Sequence, residues 1–395
     1  MAIAEDLDLY QNDNTFVARG QISGDVLTEN SSAAVTIQTA IDWLAESGGG
    51  EVALQSGVYP LDQPVSLRDR TTLRGKGSST RLVATPANEA GTAVLMQTLK
   101  AAELSDLLVE PASPNQGTAG VVIDDSGACR VSKVKVQGFR DHGLWLRNNS
   151  FLCEIVSSEF VDNGVANVFC EKLREGGRGG NYLPNLFSSC RLYGGQRGFV
   201  MTHALVVNVV GCLVSHTRGT AFELSAHSNS VQITGCRTYQ IGGDALTTHD
   251  SHELNASSNI FSWHRGNGIV LSESSWITVT GNNVIDTGVR DPGGQLKTGL
   301  VVGSNSTAVL VSNNNIFNWG DQPKMAHGIT EDATCSMNQF IGNNINYFAG
   351  EAVRSEGRGT VATDNVSHGP KAFKSDGLPP FPDFTLDSIE TFIRE

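Results

Sequence analysis

Through most of its length the chain alternates apolar and polar residues in short runs, each closed by a turn containing glycine or asparagine. The runs share one phrase: an apolar strand, a polar break, a second strand, then the turn. In register they read GFVMTHALVVNVVGC, TAFELSAHSNSVQITGC, ALTTHDSHELNASSN and GIVLSESSWITVTGNN, followed by GLVVGSNSTAVLVSNNN and GITEDATCSMNQFIGNN. Cys190, Cys212, Cys236, Asn259 and Asn283 mark one phase of that phrase and recur every 22 to 24 residues. A fixed period of this size is the signature of a solenoid. With a two-residue alternation and no helical stretch between strands, the solenoid is all-β, a right-handed parallel β-helix. Thiols and amides recurring at one turn position predict a ladder, each amide bonding its counterpart one coil away.

The ends of the chain read differently. Ser31–Glu46 (SSAAVTIQTAIDWLAE) has helical periodicity, with Ile37, Ile41 and Leu44 on one face. Ser31 or Ser32 is placed to cap it, and Gly48-Gly49-Gly50 ends it. A helix there covers the open end of the first coil, whose strand edges and core are otherwise exposed. The other end, LPPFPDFTLDSIETFIRE, predicts a Pro-rich crossing and a second short capping helix bearing Leu386, Ile389 and Ile393. The expected division is 1–48 for the N-terminal segment and capping helix, 49–367 for the β-helix, and 368–395 for the crossing and terminal helix. Insertions at Glu171–Pro184, Asp286–Lys297 and Asn318–Met325 break the period. Loops inserted on one face of a solenoid form a binding rim.

The order of amphipathic helix, Gly-Gly, short strand, SGVYPL turn and LRGKG resembles the opening of pectate-lyase-like β-helix proteins. The resemblance extends over most of the chain through the repeat. It implies the fold and a carbohydrate-active protein, because function on a shared fold lives in particular sites.

Charge and cysteine content narrow the partners. The 395-residue chain carries a net charge of −13, whereas a nucleic-acid ligand needs a broad basic surface. No segment approaches the apolar length of a membrane span. The seven cysteines are an odd number without a CxxC pair, and most fall in repeat phase, so they read as small buried apolar residues. The opening MAIAEDLDLYQND is acidic and lacks the apolar core of a secretory leader. The compartment stays open: secreted or periplasmic if a leader was trimmed, cytoplasmic otherwise. No motif calls for a cofactor or a metal.

Strand alternation sorts the side chains. Leu144 and Leu146, Phe199 and Met201, Phe222 and Leu224, Ile269 and Leu271, and Leu300 and Val302 are the inward set. Facing out, coil by coil, come Thr202, Glu223, Thr247 with His249, Ser272, and Thr330 with Asp332. His203, His227, Asp250 and Glu273 sit at the following turn. Coils stack at about 4.8 Å, so carboxylates on neighbouring coils fall within one sugar ring, the spacing that glycoside hydrolysis requires of its acid and its nucleophile or base. Glu223, Asp244, His249, Asp250 and Glu273 are the catalytic candidates, with His249 as a base or as a neighbour that tunes the acids. His249, Asp250, His252 and Glu253 are clustered, and ALTTHD is the repeat strand poorest in apolar residues. A local rule broken in mid-repeat is where function is expected.

A second strip, Arg140, Arg197, Arg218, Arg265 and Arg290, recurs in the turn before the glycine, with His142, His216 and His264 nearby. Stacked coils predict a ladder of guanidiniums that grips carboxylate, sulfate or phosphate groups, or that pairs internally with Asp141, Asp286 and Asp291. The substrate-binding candidates are His203, Arg218, His227, Trp263, His264, Arg265, Arg290, Lys297 and Asp332. Trp145, Trp263, Trp276 and Trp319 lie near turns, placed to stack on sugar faces or to wedge against the core. GxSxG, P-loop, HExxH and Rossmann signatures are absent. GGDALTTHD resembles the Asp-rich strand of polygalacturonase-type hydrolases without its paired Asp. THDSHE resembles the Asp-Pro-His-Glu stretch of alginate C5-epimerases, with His249 and Asp250 at its His and Glu positions and Thr247 at its Asp position.

Three functions follow from these residues. The first is an enzyme that cleaves or transfers glycosidic bonds of a polysaccharide or oligosaccharide with an Asp/Glu pair. The second is a polysaccharide lyase or C5-epimerase acting on uronic acids, with Arg or Lys neutralising the carboxylate and His249 or His264 abstracting the C5 proton. The third is a glycan-binding β-helix with no catalysis. A homotrimer is the expected assembly, with subunits side by side across the insertions.

Overall fold

The structure is a computed structural model that describes residues 5–172, 183–288, 294–319 and 325–368. The insertion tips, Arg290, Asp291 and the expected C-terminal helix with Leu386, Ile389 and Ile393 lie outside the described residues.

The N-terminal segment opens with an antiparallel sheet that lies outside the repeat and that the repeat pattern does not predict. β1 (Leu7–Asn12) pairs with β2 (Thr15–Gly20), which pairs with β3 (Val26–Asn30). Leu7, Leu9, Phe16 and Ala18 turn one face of this sheet inward. Helix α1 (Ala33–Glu46) follows, with the Ser32 hydroxyl accepting from the Val35 amide at 3.3 Å. Its apolar stripe, Ala34, Ile37, Ala40, Ile41 and Leu44, is fully buried. Gly49, at φ 112°, returns its amide to the Leu44 carbonyl and ends the helix. α1 packs on Gly50–Leu54 and Gly57–Leu61, the first solenoid strands, and so covers the N-terminal end as expected.

Each full coil then contributes three short strands, one more than the repeat phrase suggested. In one coil these are Phe199–Thr202, Leu205–Val210 and Leu213–Ser215. The first strands stack into a front sheet, twelve strands among the described residues, from Val65–Ser66 to Val353–Ser355. The second and third strands stack into two further columns. The corner between front and second strand is called here the first corner, and that between third strand and the next front strand the third. Pairing is parallel and in register, as in Phe222↔Leu246 and Leu246↔Ile269. The inward set is as read: Leu144, Phe199, Met201, Phe222, Leu224, Ile269, Leu271, Leu300 and Val302 are each at most 1% exposed. No helix among the described residues is long and apolar enough to cross a membrane.

The turn between second and third strands carries the ladder. Asn259, Asn282, Asn314, Asn343 and Asn365 each accept, through Oδ1, from the Nδ2 of the preceding asparagine or the backbone amide of the preceding coil at 2.8–3.0 Å. Each Nδ2 also donates to a carbonyl one coil back, from Ile233 to Phe340. Cys190, Cys212 and Cys236 hold the same position upstream, and all seven cysteines are free and buried. The marker Asn283 is off by one. Asn282 is the ladder residue, while Asn283 faces outward and accepts from Asn315, which accepts in turn from Asn344. A one-residue slip exchanges the faces of a strand, and the run GNN offers both registers.

Asn314→Ala should therefore leave the buried backbone N–H of Asn282, which donates to Asn314 Oδ1 at 2.9 Å, without its partner, at about 1–3 kcal/mol. Asn283→Ala should stay within about 0.5 kcal/mol of wild type. Urea denaturation of the two variants checks this, and equal losses would contradict the inner ladder.

Candidate functional site

The front sheet presents its outward residues as one strip, and the predicted residues divide between the strip's two borders. His203, His227, His249, Asp250, Glu273 and Asp332 lie toward the first corner. Arg197, Arg218, Asp244, Arg265 and Lys297 lie toward the third. Asp244 and Asp250 stand at opposite ends of the strand Leu246–His249, about 20 Å apart at ~3.3 Å per residue. They cannot act on one bond.

The first corner forces the backbone into the left-handed region at His203 (φ 52°), His227 (φ 62°), Asp250 (φ 50°) and Glu273 (φ 49°). These side chains project away from the core beside the edge of the front sheet. His227 Nδ1 lies 3.0 Å from Asp250 Oδ1 across adjacent coils. His249 Nε2 lies 4.0 Å from Glu273 Oε2, and its Nδ1 lies 3.3 Å from the Ser272 hydroxyl. The corner thus holds two His–carboxylate pairs on successive coils. Next to them His203, His227 and His252, with Ala204, Leu205 and Asn229, line a groove of about 400 Å³. The His227 and His252 rings are nearly parallel at 17°, their centroids 6.4 Å apart. Trp276, 65% exposed, extends the row one coil further at 6.1 Å from His252. Asp332 is exposed farther along the strip, where its carboxylate closes a local turn by accepting from the Thr334 amide.

At the opposite border Glu223 is clamped. Arg197 Nη1 reaches its two oxygens at 3.0 and 3.2 Å. Asp244 is half-buried and accepts from the Asn267 amide at 2.5 Å. Burial pushes its carboxyl above the usual range, against the opposing pull of the Asn267 amide and the Lys297 charge. Its work is to join successive coils. Arg140 pairs with Asp141, as the internal-pairing alternative anticipated. Arg218 and Arg265 are exposed, but Gly242 occupies their turn position in the coil between them, so the expected guanidinium ladder is interrupted. Trp263 packs on Tyr239 at 5.2 Å, along the third-strand column and away from the front sheet.

His264 does not bind substrate in this fold. It is fully buried, paired in register with Ile241 and Thr287, and its Nε2 lies 3.1 Å from the Thr238 hydroxyl. A left-handed residue, Trp263 at φ 59°, breaks the alternation that starts from the inward Phe261 and turns this histidine inward. His252 and Arg197 are the residues that sequence reasoning undervalued. His252 lies two positions after Asp250, and that spacing across the buried Ser251 was the available signal that both face out.

With this geometry in view, the comparisons with known proteins fit the architecture. The family described as the right handed beta helix region matches residues 119–284 and 175–316, half of the chain, and the chain belongs to it. Among curated proteins none matches in sequence. Similar solved structures include the mannuronan C-5 epimerase AlgE6 A-module of Azotobacter vinelandii, at 15% identity over 86% of this chain and 96% of that one, with a TM-score of 0.60. The tailspike protein of E. coli bacteriophage HK620 in complex with a pentasaccharide is similar at 16% identity, 89% and 66% coverage, and a TM-score of 0.56. The Dettilon tailspike protein is similar at 15% identity, 82% and 65% coverage, and a TM-score of 0.63. At these identities the likeness is one of fold.

The buried histidines give this scaffold a measurable acid sensitivity. Burial pushes His142 down to about 4 and His264 down to about 3, from an ordinary value of 6.5. The unfolded chain therefore binds more protons than the folded one below pH 6.5. Their contribution is complete above about pH 6.5 and is lost as pH falls toward 4, by up to about 1.4 kcal/mol per pH unit for each histidine. The double variant His142→Phe, His264→Phe should flatten the stability profile between pH 6.5 and 5. Urea midpoints across that range check it, and an unchanged slope would contradict the assignment.

Proposed function

We propose that the protein is a carbohydrate-active enzyme that cleaves or transfers glycosidic bonds of a polysaccharide or oligosaccharide laid along the front sheet, with its chemistry at the first corner. The observation that carries this reading is the repetition of a His–carboxylate pair on consecutive coils, His227 with Asp250 and His249 with Glu273. Coils about 4.8 Å apart bring two such carboxylates to the separation of a glycosidase pair. One protonates the leaving oxygen while the other attacks the anomeric carbon or activates water. Each histidine orients its carboxylate and is placed to exchange a proton with it. Glu223, held by Arg197, belongs to the floor of the strip and positions substrate. His203 and Trp276 extend the groove with surfaces suited to sugar rings. Support comes also from the HK620 tailspike, solved with bound oligosaccharide on variants of an aspartate and a glutamate.

A second reading has its own observation. The His227–Asp250 pair is also the arrangement of a base oriented by a carboxylate, suited to taking a proton from C5 of a uronic acid as a lyase or epimerase does. Two of the similar structures are mannuronan C-5 epimerases.

Asp250→Asn and Glu273→Gln should each lower turnover on a responsive glycan by at least about 10²-fold, with thermal stability nearly unchanged because both groups face solvent. A polysaccharide panel read for new reducing ends and for ultraviolet absorbance selects the chemistry. New reducing ends without absorbance support hydrolysis. Absorbance from a new C=C bond, lost in His227→Ala, replaces it with elimination. Full activity in both amide variants would move the site off this corner.

A further inference from the structure

We propose that His227, Asp250 and His252 form a binding site for a divalent transition metal of the zinc type at the mouth of the first-corner groove. One donor atom from each residue lies within 4.8 Å of the other two, and among the described residues no other three His, Cys, Asp or Glu side chains converge in this way. Zinc bound at about 2.0–2.2 Å sets neighbouring ligands about 3.3 Å apart. His227 Nδ1 and Asp250 Oδ1 are already 3.0 Å apart. Closing the remaining distance takes rotation of exposed or half-buried side chains and no movement of the coil.

The fold supplies the convergence. Asp250 and His252 flank Ser251, whose side chain is buried, so alternation turns both outward from one coil. His227 reaches them from the preceding coil, whose backbone is locked to this one by the pairing Ser228↔Ser251. The His252 ring is held from behind, with Nδ1 2.7 Å from the Ser275 hydroxyl. A metal that takes Nε2 leaves that bond intact as an outer-shell contact, the arrangement that fixes ring orientation in known imidazole sites. Among the described residues no lysine or arginine forms an ion pair with Asp250 to compete for it.

Donor chemistry sets the class of ion. Two imidazoles and one carboxylate suit zinc, nickel or copper, whereas calcium and magnesium take all-oxygen sets. Three protein ligands facing a groove leave coordination positions open to water or a ligand oxygen, as in reactive sites and unlike closed structural ones.

The test uses EDTA-dialysed full-length protein titrated calorimetrically with ZnCl2 in the absence of any glycan. It is thus independent of the proposed activity: a protein inactive on every glycan can still bind zinc here, and an active one can fail to. The expected result is one zinc per chain, weakened at least about tenfold in each of Asp250→Asn, His227→Ala and His252→Ala, and unchanged in His203→Ala. Melting curves recorded in EDTA confirm that the variants fold. No binding to wild type, or equal binding to all three ligand variants, would overturn the site. Displacement of zinc by excess CaCl2 would overturn the class of metal.

Discussion

Everything in this molecule depends on parallel, in-register stacking of coils. Each backbone N–H and C=O of a strand is satisfied by the coil before or after it, so a residue's neighbours above and below are set by its phase in the repeat. Inside, that rule converts a recurring asparagine into a continuous column of amide hydrogen bonds from Asn259 to Asn365. A buried amide is costly when unpaired and stabilising when every donor and acceptor is used. Stacking meets that condition automatically, provided that each coil supplies the same residue. Where the sequence changes to cysteine at Cys190, Cys212 and Cys236, the position needs less hydrogen bonding and keeps its small volume.

The same rule operates outside the core with the opposite consequence. An outward residue has no core to fill, so its identity is free, yet its neighbours remain fixed. The first corner imposes a left-handed backbone on Asp125, Lys172, His203, Asp250 and Glu273 alike, a conformation that costs most residues about 1–2 kcal/mol and suits glycine or asparagine better. Aspartate and histidine are among the non-glycine residues that tolerate this conformation best, so the turn accounts in part for His203, His227 and Asp250; it does not dictate Glu273 or the approach of these side chains across coils.

Fold was legible because it rests on periodicity, and periodicity survives the exchange of one residue for another. α1 was legible from its Ile37, Ile41 and Leu44 stripe and from Gly49. Where the reading failed, the signal was local and ambiguous. GNN does not say which asparagine enters the ladder, since Asn282 and Asn283 differ only in face. β1 to β3 fall outside the repeat, and their burial of Leu7, Leu9, Phe16 and Ala18 depends on the solenoid end they abut. His264 was placed with the surface arginines because it adjoins Arg265; its inward direction depends on the left-handed backbone at Trp263, which breaks the strand's alternation. Asp244 and Asp250 look adjacent in sequence and are held apart by a strand between them. The sequence located the coil that carries the candidate site, but which residues meet there depends on coil-to-coil contacts that a single repeat does not contain.

Those contacts also explain how one corner can carry two kinds of chemistry. Asp250 touches His227 of the coil before it, while Glu273 of the coil after it approaches His249. On the proposed reading, a glycan running along the solenoid would meet these pairs in succession. His252, one alternation beyond Asp250, adds a second imidazole to the first pair and to no other, because the residue two positions after Glu273 is Ser275, which bonds His252 and offers no imidazole of its own. The two His–carboxylate pairs are therefore not equivalent. On the proposed reading, the first can gather three ligands around a metal and the second cannot, so one residue that differs between otherwise matching coils would separate a metal-capable pair from one limited to proton transfer.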